Sequence, residues 1–210
     1  MCSKTKFMKI ICIGRNYSDH AKEMKSELPS KPIFFLKPDT ALLPKKMPFF
    51  FPEFTKDLHH ELELVVRISR LGKHIPVERA HTYYDEVGLG IDFTARDLQA
   101  ECKAKGLPWE IAKAFEHSAP VSENFISLDK MNLADTSFEL KKNGNTVQVG
   151  HVQDMIFSID QIIAYVSQFM TLKIGDLIFT GTPAGVGPVQ IGDTLEGFLN
   201  GERLLEVKIK

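Results

Sequence analysis

The segment HHELELVV (His59 to Val66) restricts the fold more than any other stretch of the chain. In an extended strand alternate side chains share a face, so Leu62, Leu64 and Val66 are expected to point one way and His59, Glu61 and Glu63 the other. The leucine face requires an apolar layer. The other face presents carboxylates two residues apart, which must stand in water or close around a positive charge. A second apolar strand, VGLGIDF, ends near Asp92. If the two strands are neighbours, three acidic side chains converge, a donor set suited to a hard octahedral cation such as Mg2+ or Mn2+. Zinc fits less well: His60-Glu61 begins like an HExxH helix, but Leu64 stands where the second histidine belongs and the segment is not helical. From spacing alone a solvated acidic face is the commoner arrangement.

The remaining elements extend this β-rich pattern. Phe7 to Ile13 is predicted as a first strand, followed by a turn and short helix in GRNYSDHAKEM, and KPIFFLKP as a strand fenced by prolines. LLPKKMPFFFPEF is too rich in proline for regular structure, and its four phenylalanines call for packing on the core or on another subunit. A short helix is expected around Val77 to Tyr84. Thr94 is expected to cap a helix in ARDLQAECKAK that ends at Gly106. Asn143-Gly144 between alternating segments signals a hairpin. Ser158 and Gln161 form a capping box ahead of a helix whose Ile159, Ile162, Ile163 and Val166 make an apolar stripe. DLIFTGTP and the final LLEVKIK are predicted strands. Strands mixed with hairpins argue for a mixed sheet or β-roll over a doubly wound Rossmann sheet.

The chain's 210 residues, 43% of them hydrophobic, suit a single domain over 1–210. A formal net charge of −1 gives no electrostatic reason for nucleic acid or an anionic membrane as partner. No apolar run approaches the ~20 residues of a membrane span. The N-terminus has no signal-peptide pattern and is expected to be that of a mature protein. Cys2, Cys12 and Cys102 form no CxxC, which fits a reducing, cytoplasmic setting.

Three further groups could carry chemistry. His20 and Glu23 lie three apart on a predicted helix, and a carboxylate beside a histidine fixes its tautomer and raises its basicity. GTPAGVGP (Gly181 to Pro188) is a glycine-rich turn after a strand; without a GK[ST] ending it is no phosphate loop, but it can offer backbone N–H groups and the Thr182 hydroxyl to an anion. Lys113 in EIAKAFEHSAP and Lys37 in FLKP are candidates only by association.

Taken together and in order, GRNYSDHAKEM, FLKP, HHELELVV, GIDFTARDLQ, KGLPWEIAKAFEHSAPVS, MIFSIDQIIAYVS and GDLIFTGTPAGVGP resemble the fumarylacetoacetate hydrolase family, in its acylpyruvase branch, over residues 8 to 210. The resemblance implies a β-rich α/β fold, a mixed β-sandwich roll with short flanking helices, and a homodimer. It implies Mg2+ or Mn2+ held by Glu61, Glu63 and Asp92. A lid segment, residues 15–28, would carry a His20–Glu23 catalytic dyad, with Lys113 as a further catalytic group. Arg15, Asn16, Lys37, Arg96, Gln99 and Thr182 match substrate-pocket positions. The implied activity is hydrolysis of the C3–C4 bond of acylpyruvates, such as acetylpyruvate or fumarylpyruvate, to pyruvate and a carboxylic acid. Oxaloacetate decarboxylation or keto–enol exchange through the same enolate is the alternative, and a non-catalytic metabolite-binding dimer a further one.

Overall fold

The computed structural model describes residues 8–23 and 27–210. Phe7 of the predicted first strand, Cys2, and positions 24–26 of the segment 15–28 lie outside the described residues. The strands are β1 (Ile10–Gly14), β2 (Ile33–Lys37), β3 (Leu58–His60), β4 (Leu62–Ile68), β5 (Tyr84–Ile91), β6 (Thr94–Ala95), β7 (Ile126–Ser127), β8 (Ser137–Lys142), β9 (Asn145–His151), β10 (Leu177–Phe179), β11 (Gly187–Pro188), β12 (Thr194–Leu199) and β13 (Glu202–Lys208). The α-helices are α1 (Ser18–Glu23), α2 (Val77–Ala80), α3 (Arg96–Lys105), α4 (Glu110–Lys113) and α5 (Ile159–Phe169).

A six-stranded sheet runs in the order β2-β1-β10-β4-β5-β7, parallel only between β1 and β10. A four-stranded antiparallel sheet, β13-β12-β8-β9, lies against it, and a small sheet β11-β3-β6 sits beside the acidic strand. Between the two large sheets lies the main core, where Leu62, Leu64, Val66 and Ile68 of β4 meet Phe138, Leu140, Leu195 and Val207. The close approach depends on Gly197: a Cβ there would lie 3.2 Å from both Leu89 and Leu205 side chains. The opposite face of β4 is also buried, since Val65 packs with Ile10, Cys12, Leu177 and Phe179 in a second cluster. The architecture is thus the β-rich sandwich expected, with one difference. β4 is covered on both faces rather than half exposed, so its carboxylate face is largely withdrawn from water.

Local signals act as their chemistry dictates. Asn143 (φ 52°) and Gly144 (φ 80°) close the β8–β9 hairpin in the left-handed pair that such turns require. Ser158 accepts from Gln161 N–H at 3.3 Å, while the Gln161 side chain accepts from Ser158 N–H at 2.9 Å, and the isoleucine stripe of α5 enters the core. Gly106 (φ 64°) ends α3. Thr94 does not cap α3, contrary to the sequence expectation: it belongs to β6, paired with His59, and its hydroxyl donates to Asp92 O at 3.3 Å. The phenylalanine loop divides. Phe49 stacks on Phe93 with ring centroids 4.3 Å apart, whereas Phe50 and Phe54 are more than half exposed.

Candidate active site

The pairing of β4 with β5 assembles the acidic group. Leu62 is opposite Ile91 and Glu63 opposite Gly90, so the register carries Glu61 opposite Asp92, whose N–H donates to Glu61 O at 2.8 Å. Opposite Glu63, position 90 admits only glycine, because a Cβ there would lie 2.4 Å from Phe179. One carboxylate oxygen from each of Glu61, Glu63 and Asp92 lies within 4.8 Å of the others, and all three residues are at most 5% exposed. Three buried anions this close repel one another strongly unless cations intervene.

The cations that intervene reach the acids unequally. Lys113, brought in by α4, donates to Glu61 Oε2 and to Asp92 Oδ2, both at 2.7 Å. Arg96, the first residue of α3, donates to Glu61 Oε1 at 2.6 Å and to Gln99 Oε1 at 2.7 Å. Burial alone would raise the Glu61 carboxyl, but Lys113 and Arg96 hold it well below the usual range. Burial likewise would lower the Lys113 ammonium, but Asp92 and Glu61 outweigh it and its pKa rises. Glu63 is different. It accepts Gly181 N–H at 2.6 Å and, among the described residues, forms no ion pair with an ammonium or guanidinium. Burial, then Asp92 and Glu61, push its carboxyl well above its ordinary value. Lys37 Nζ lies 2.8 Å from Asp92 Oδ1, yet that buried oxygen receives no aligned hydrogen bond. The three protons of Lys37 are shared among Phe93 O, Lys113 O, Ser118 O and Ser118 Oγ, leaving its contact with Asp92 an ion pair. An all-oxygen donor set, in which one carboxyl has no cationic partner among the described residues, fits a hard divalent ion.

The loop between β10 and β11 links this group to α1. Gly181 N–H holds Glu63, and Gly185 N–H donates to Glu23 Oε1 at 3.2 Å. Glu23 in turn lies 3.3 Å from Nδ1 of His20. Both glycines take positive φ (100° and 97°), and a Cβ on Gly185 would lie 2.2 Å from Val147 O. The loop is braced by Gln148 of β9, whose oxygen accepts Leu62 N–H at 2.9 Å and faces His60 Nδ1 at 3.0 Å. Its amide donates to Thr182 Oγ1 at 2.8 Å and Pro183 O at 3.0 Å. Thr182 passes its own proton to Leu62 O.

Of the residues expected from sequence, Arg15, His20, Glu61, Glu63, Asp92, Arg96, Gln99, Lys113 and Thr182 line one cleft of about 40 Å³. Glu23 reaches it through His20. Asn16 and Lys37 do not line it. Asn16 is fully buried and ties Phe157 and Thr180 main chains together, and Lys37 stands behind Asp92. The cleft also holds Phe35, Lys103 and Trp109, which are not among the residues expected from sequence. Lys103 was detectable, since positions 96, 99 and 103 share one helical face. Gln148 was not: nothing in the alternation of its strand distinguishes it from its polar neighbours.

Fold and cleft together define a class, a β-sandwich protein whose buried carboxylates form a site suited to a divalent cation. Residues 9–210 match the model of the fumarylacetoacetate (FAA) hydrolase C-terminal family, and the chain belongs to that family. It is 46% identical over 202 residues to the mouse (Mus musculus) protein named oxaloacetate tautomerase FAHD1, mitochondrial, covering 96% of this chain and 91% of that one. A Dictyostelium discoideum oxaloacetate decarboxylase, mitochondrial, is 42% identical over 195 residues, covering 92% and 89%. The crystal structure of fumarylpyruvate hydrolase from Pseudomonas aeruginosa, in complex with Mn2+ and pyruvate, has a TM-score of 0.90 at 34% identity and covers 99% of this chain and 92% of that one.

Proposed function

We propose that this protein is a divalent-cation-dependent enzyme acting on small 2-keto acids, with oxaloacetate, tautomerised or decarboxylated, as its leading substrate. C3–C4 hydrolysis of acylpyruvates such as acetylpyruvate or fumarylpyruvate is the second reading. The observation that carries both is the convergence of Glu61, Glu63 and Asp92 in a buried cleft, one carboxylate oxygen of each lying within 4.8 Å of the others. The names of the mouse and Dictyostelium relatives favour oxaloacetate. The His20–Glu23 pair beside the cleft, together with the fumarylpyruvate hydrolase likeness, supports the hydrolytic reading.

Glu61, Glu63 and Asp92 would hold Mg2+ or Mn2+, and the ion supplies positive charge that stabilises an enolate oxygen. Lys113 bridges two of the three carboxylates, offsetting one of their charges, and would keep an ammonium beside the reacting carbons. In tautomerisation a proton leaves C3 and another arrives on the 2-oxygen, and His20, oriented by Glu23 through Nδ1, is the group able to carry it. In decarboxylation the C3–C4 electron pair moves into the enolate as CO2 departs, and C3 is then protonated. In hydrolysis His20 takes a proton from a water that attacks C4, the C3–C4 pair again enters the enolate, and the proton returns to C3. Residues 15–28 serve as a lid in this reading, because α1 brings both members of the dyad to the cleft mouth. The whole chain acts as one catalytic domain.

Two copies are proposed to associate, supported by the exposed Ile33, Leu36, Leu107 and Ile111 beside the edge strand β2, and sedimentation equilibrium tests this. A cytoplasmic setting is proposed from the free, buried thiols of Cys12 and Cys102. The mouse and Dictyostelium relatives are both named as mitochondrial, so fractionation of the source cells is the test. No helix among the described residues is long and apolar enough to cross a membrane. The deciding experiment for activity strips the protein with chelator. It then measures kcat/KM for oxaloacetate, acetylpyruvate and fumarylpyruvate with Mg2+ or Mn2+ restored. Full activity in stripped protein, or turnover of none of the three, overturns the proposal.

A further inference from the structure

The charge on the cleft is not balanced by its acids alone. Four cationic side chains line it, Arg15, Arg96, Lys103 and Lys113, facing three carboxylates. Arg96 and Lys113 are accounted for by Glu61 and Asp92. Arg15 and Lys103 are not: among the described residues neither is ion-paired or hydrogen-bonded to an acidic group, and positions 1–7 and 24–26 contain no Asp or Glu. Adding a divalent ion at the carboxylates increases the positive excess further.

Both residues are also held toward the cleft. Arg15 keeps φ at 59°, a left-handed backbone seldom adopted by a non-glycine residue and one that concentrates at ligand sites. Lys103 continues the helical face of Arg96 and Gln99, and its ammonium lies 5.5 Å over the ring of Trp109, a fellow lining residue. Although Lys103 is exposed as a residue, its ammonium is held below its ordinary value by burial first and then by Arg96 and Arg15. Two unpaired cations that repel each other at one mouth are stabilised by a shared anion.

We propose that Arg15 and Lys103 form a subsite for a second carboxylate, so that the cleft selects keto acids carrying an anionic group at each end over those with one. The inference rests on the keto acid reading above and narrows it to dicarboxylates. Oxaloacetate and fumarylpyruvate satisfy it; acetylpyruvate, with a neutral methyl end, does not.

The test pairs turnover with binding. With Mn2+ present, the ratio of kcat/KM for oxaloacetate to that for acetylpyruvate is measured in the natural protein, in Lys103→Met and in Arg15→Lys. A charge-assisted contact predicts that Lys103→Met lowers the ratio about ten- to a hundredfold, and that Arg15→Lys, which keeps its charge, lowers it less. Binding is read separately in Mn2+-loaded protein by calorimetry, using 2-oxoglutarate and 2-oxopentanoate, which share a keto acid end and differ in the terminal carboxylate. The subsite requires tighter binding of 2-oxoglutarate and loss of that preference in Lys103→Met. Equal affinity for the two ligands, or a preference that survives Lys103→Met, overturns the subsite. If none of the keto acids is turned over while the binding preference holds and depends on Lys103, the activity reading fails and the subsite stands.

Discussion

His20 and His60 are both buried, but their rings are committed to different partners. His20 faces the Glu23 carboxylate and lines the cleft; His60 faces the amide oxygen of Gln148, away from it. The Glu23 carboxylate orients the His20 ring through Nδ1, whereas the Gln148 amide oxygen fixes the His60 tautomer that carries its proton on Nδ1. His20→Ala is therefore expected to lower kcat on the order of a hundredfold or more, with the affinity for Mn2+ changed less than threefold, as read by calorimetry. Unaltered turnover would remove His20 from the chemistry. His60 predicts a pH effect instead. Burial is the main cause that lowers its pKa from 6.5 to about 4. Above about pH 6.5 the ring is neutral folded or unfolded. As the pH falls toward 4 the unfolded chain takes up a proton that the folded one refuses, so stability is lost, by roughly 3 kcal/mol at completion. Urea midpoints between pH 7 and 4 should fall more steeply for the natural protein than for His60→Gln, and parallel slopes would contradict the assignment.

Among elements, the loop between β10 and β11 does most to connect the carboxylates to the dyad, and its glycines are not equivalent to glycines in ordinary turns. Gly144 and Gly185 both take positive φ, but a Cβ on Gly144 meets nothing within 4 Å, while one on Gly185 would strike Val147 O. Gly144→Ala is expected to cost about 1 kcal/mol through its backbone alone and to leave turnover intact. Gly185→Ala has to move the loop, withdrawing the N–H that holds Glu23, and is expected to lower kcat/KM at least about tenfold. Thermal melts alongside kcat/KM separate the two cases, and equal kinetic effects would refute the role given to Gly185. The same elements show what was legible beforehand. The β8–β9 hairpin, the α5 capping box and the Gly106 stop are local, written within a few residues, and could be read directly. Thr94 misled because the pairing of β6 with β3, a contact with His59 some 35 residues away, drew it into a strand, where its hydroxyl donates to the nearby Asp92 carbonyl. Gln148 acts across 88 residues on His60, and no local pattern carries such a contact.

At the scale of the whole molecule, the two-sheet sandwich makes the carboxylate site a determinant of stability. The alternation of HHELELVV identified which residues share a face, but it could not show that both faces of β4 would be covered, since that depends on β1 and β10 from opposite ends of the chain. Covering both faces turns a common acidic strand into three buried acids. Lys113, Arg96 and Lys37 accompany Glu61 and Asp92, leaving Glu63 as the carboxyl whose ionisation the fold resists in the absence of a divalent ion. A cation bound at this site stabilises the folded chain by mass action, about 2.7 kcal/mol at a hundred times its Kd. For a chain of this size that corresponds to a rise in Tm of roughly 5–10 °C over chelator-stripped protein. Glu63→Gln gives the sharper test because two effects have opposite signs. The neutral amide can still accept Gly181 N–H and spares the fold the cost of a buried carboxyl beside Asp92 and Glu61, so the stripped variant should melt above the stripped natural protein. Its missing charge should also abolish most of the Mn2+-induced rise. A stripped variant that melts lower, or one that keeps the full Mn2+ shift, would mean that Glu63 is no ligand and that the three carboxylates are a structural charge cluster.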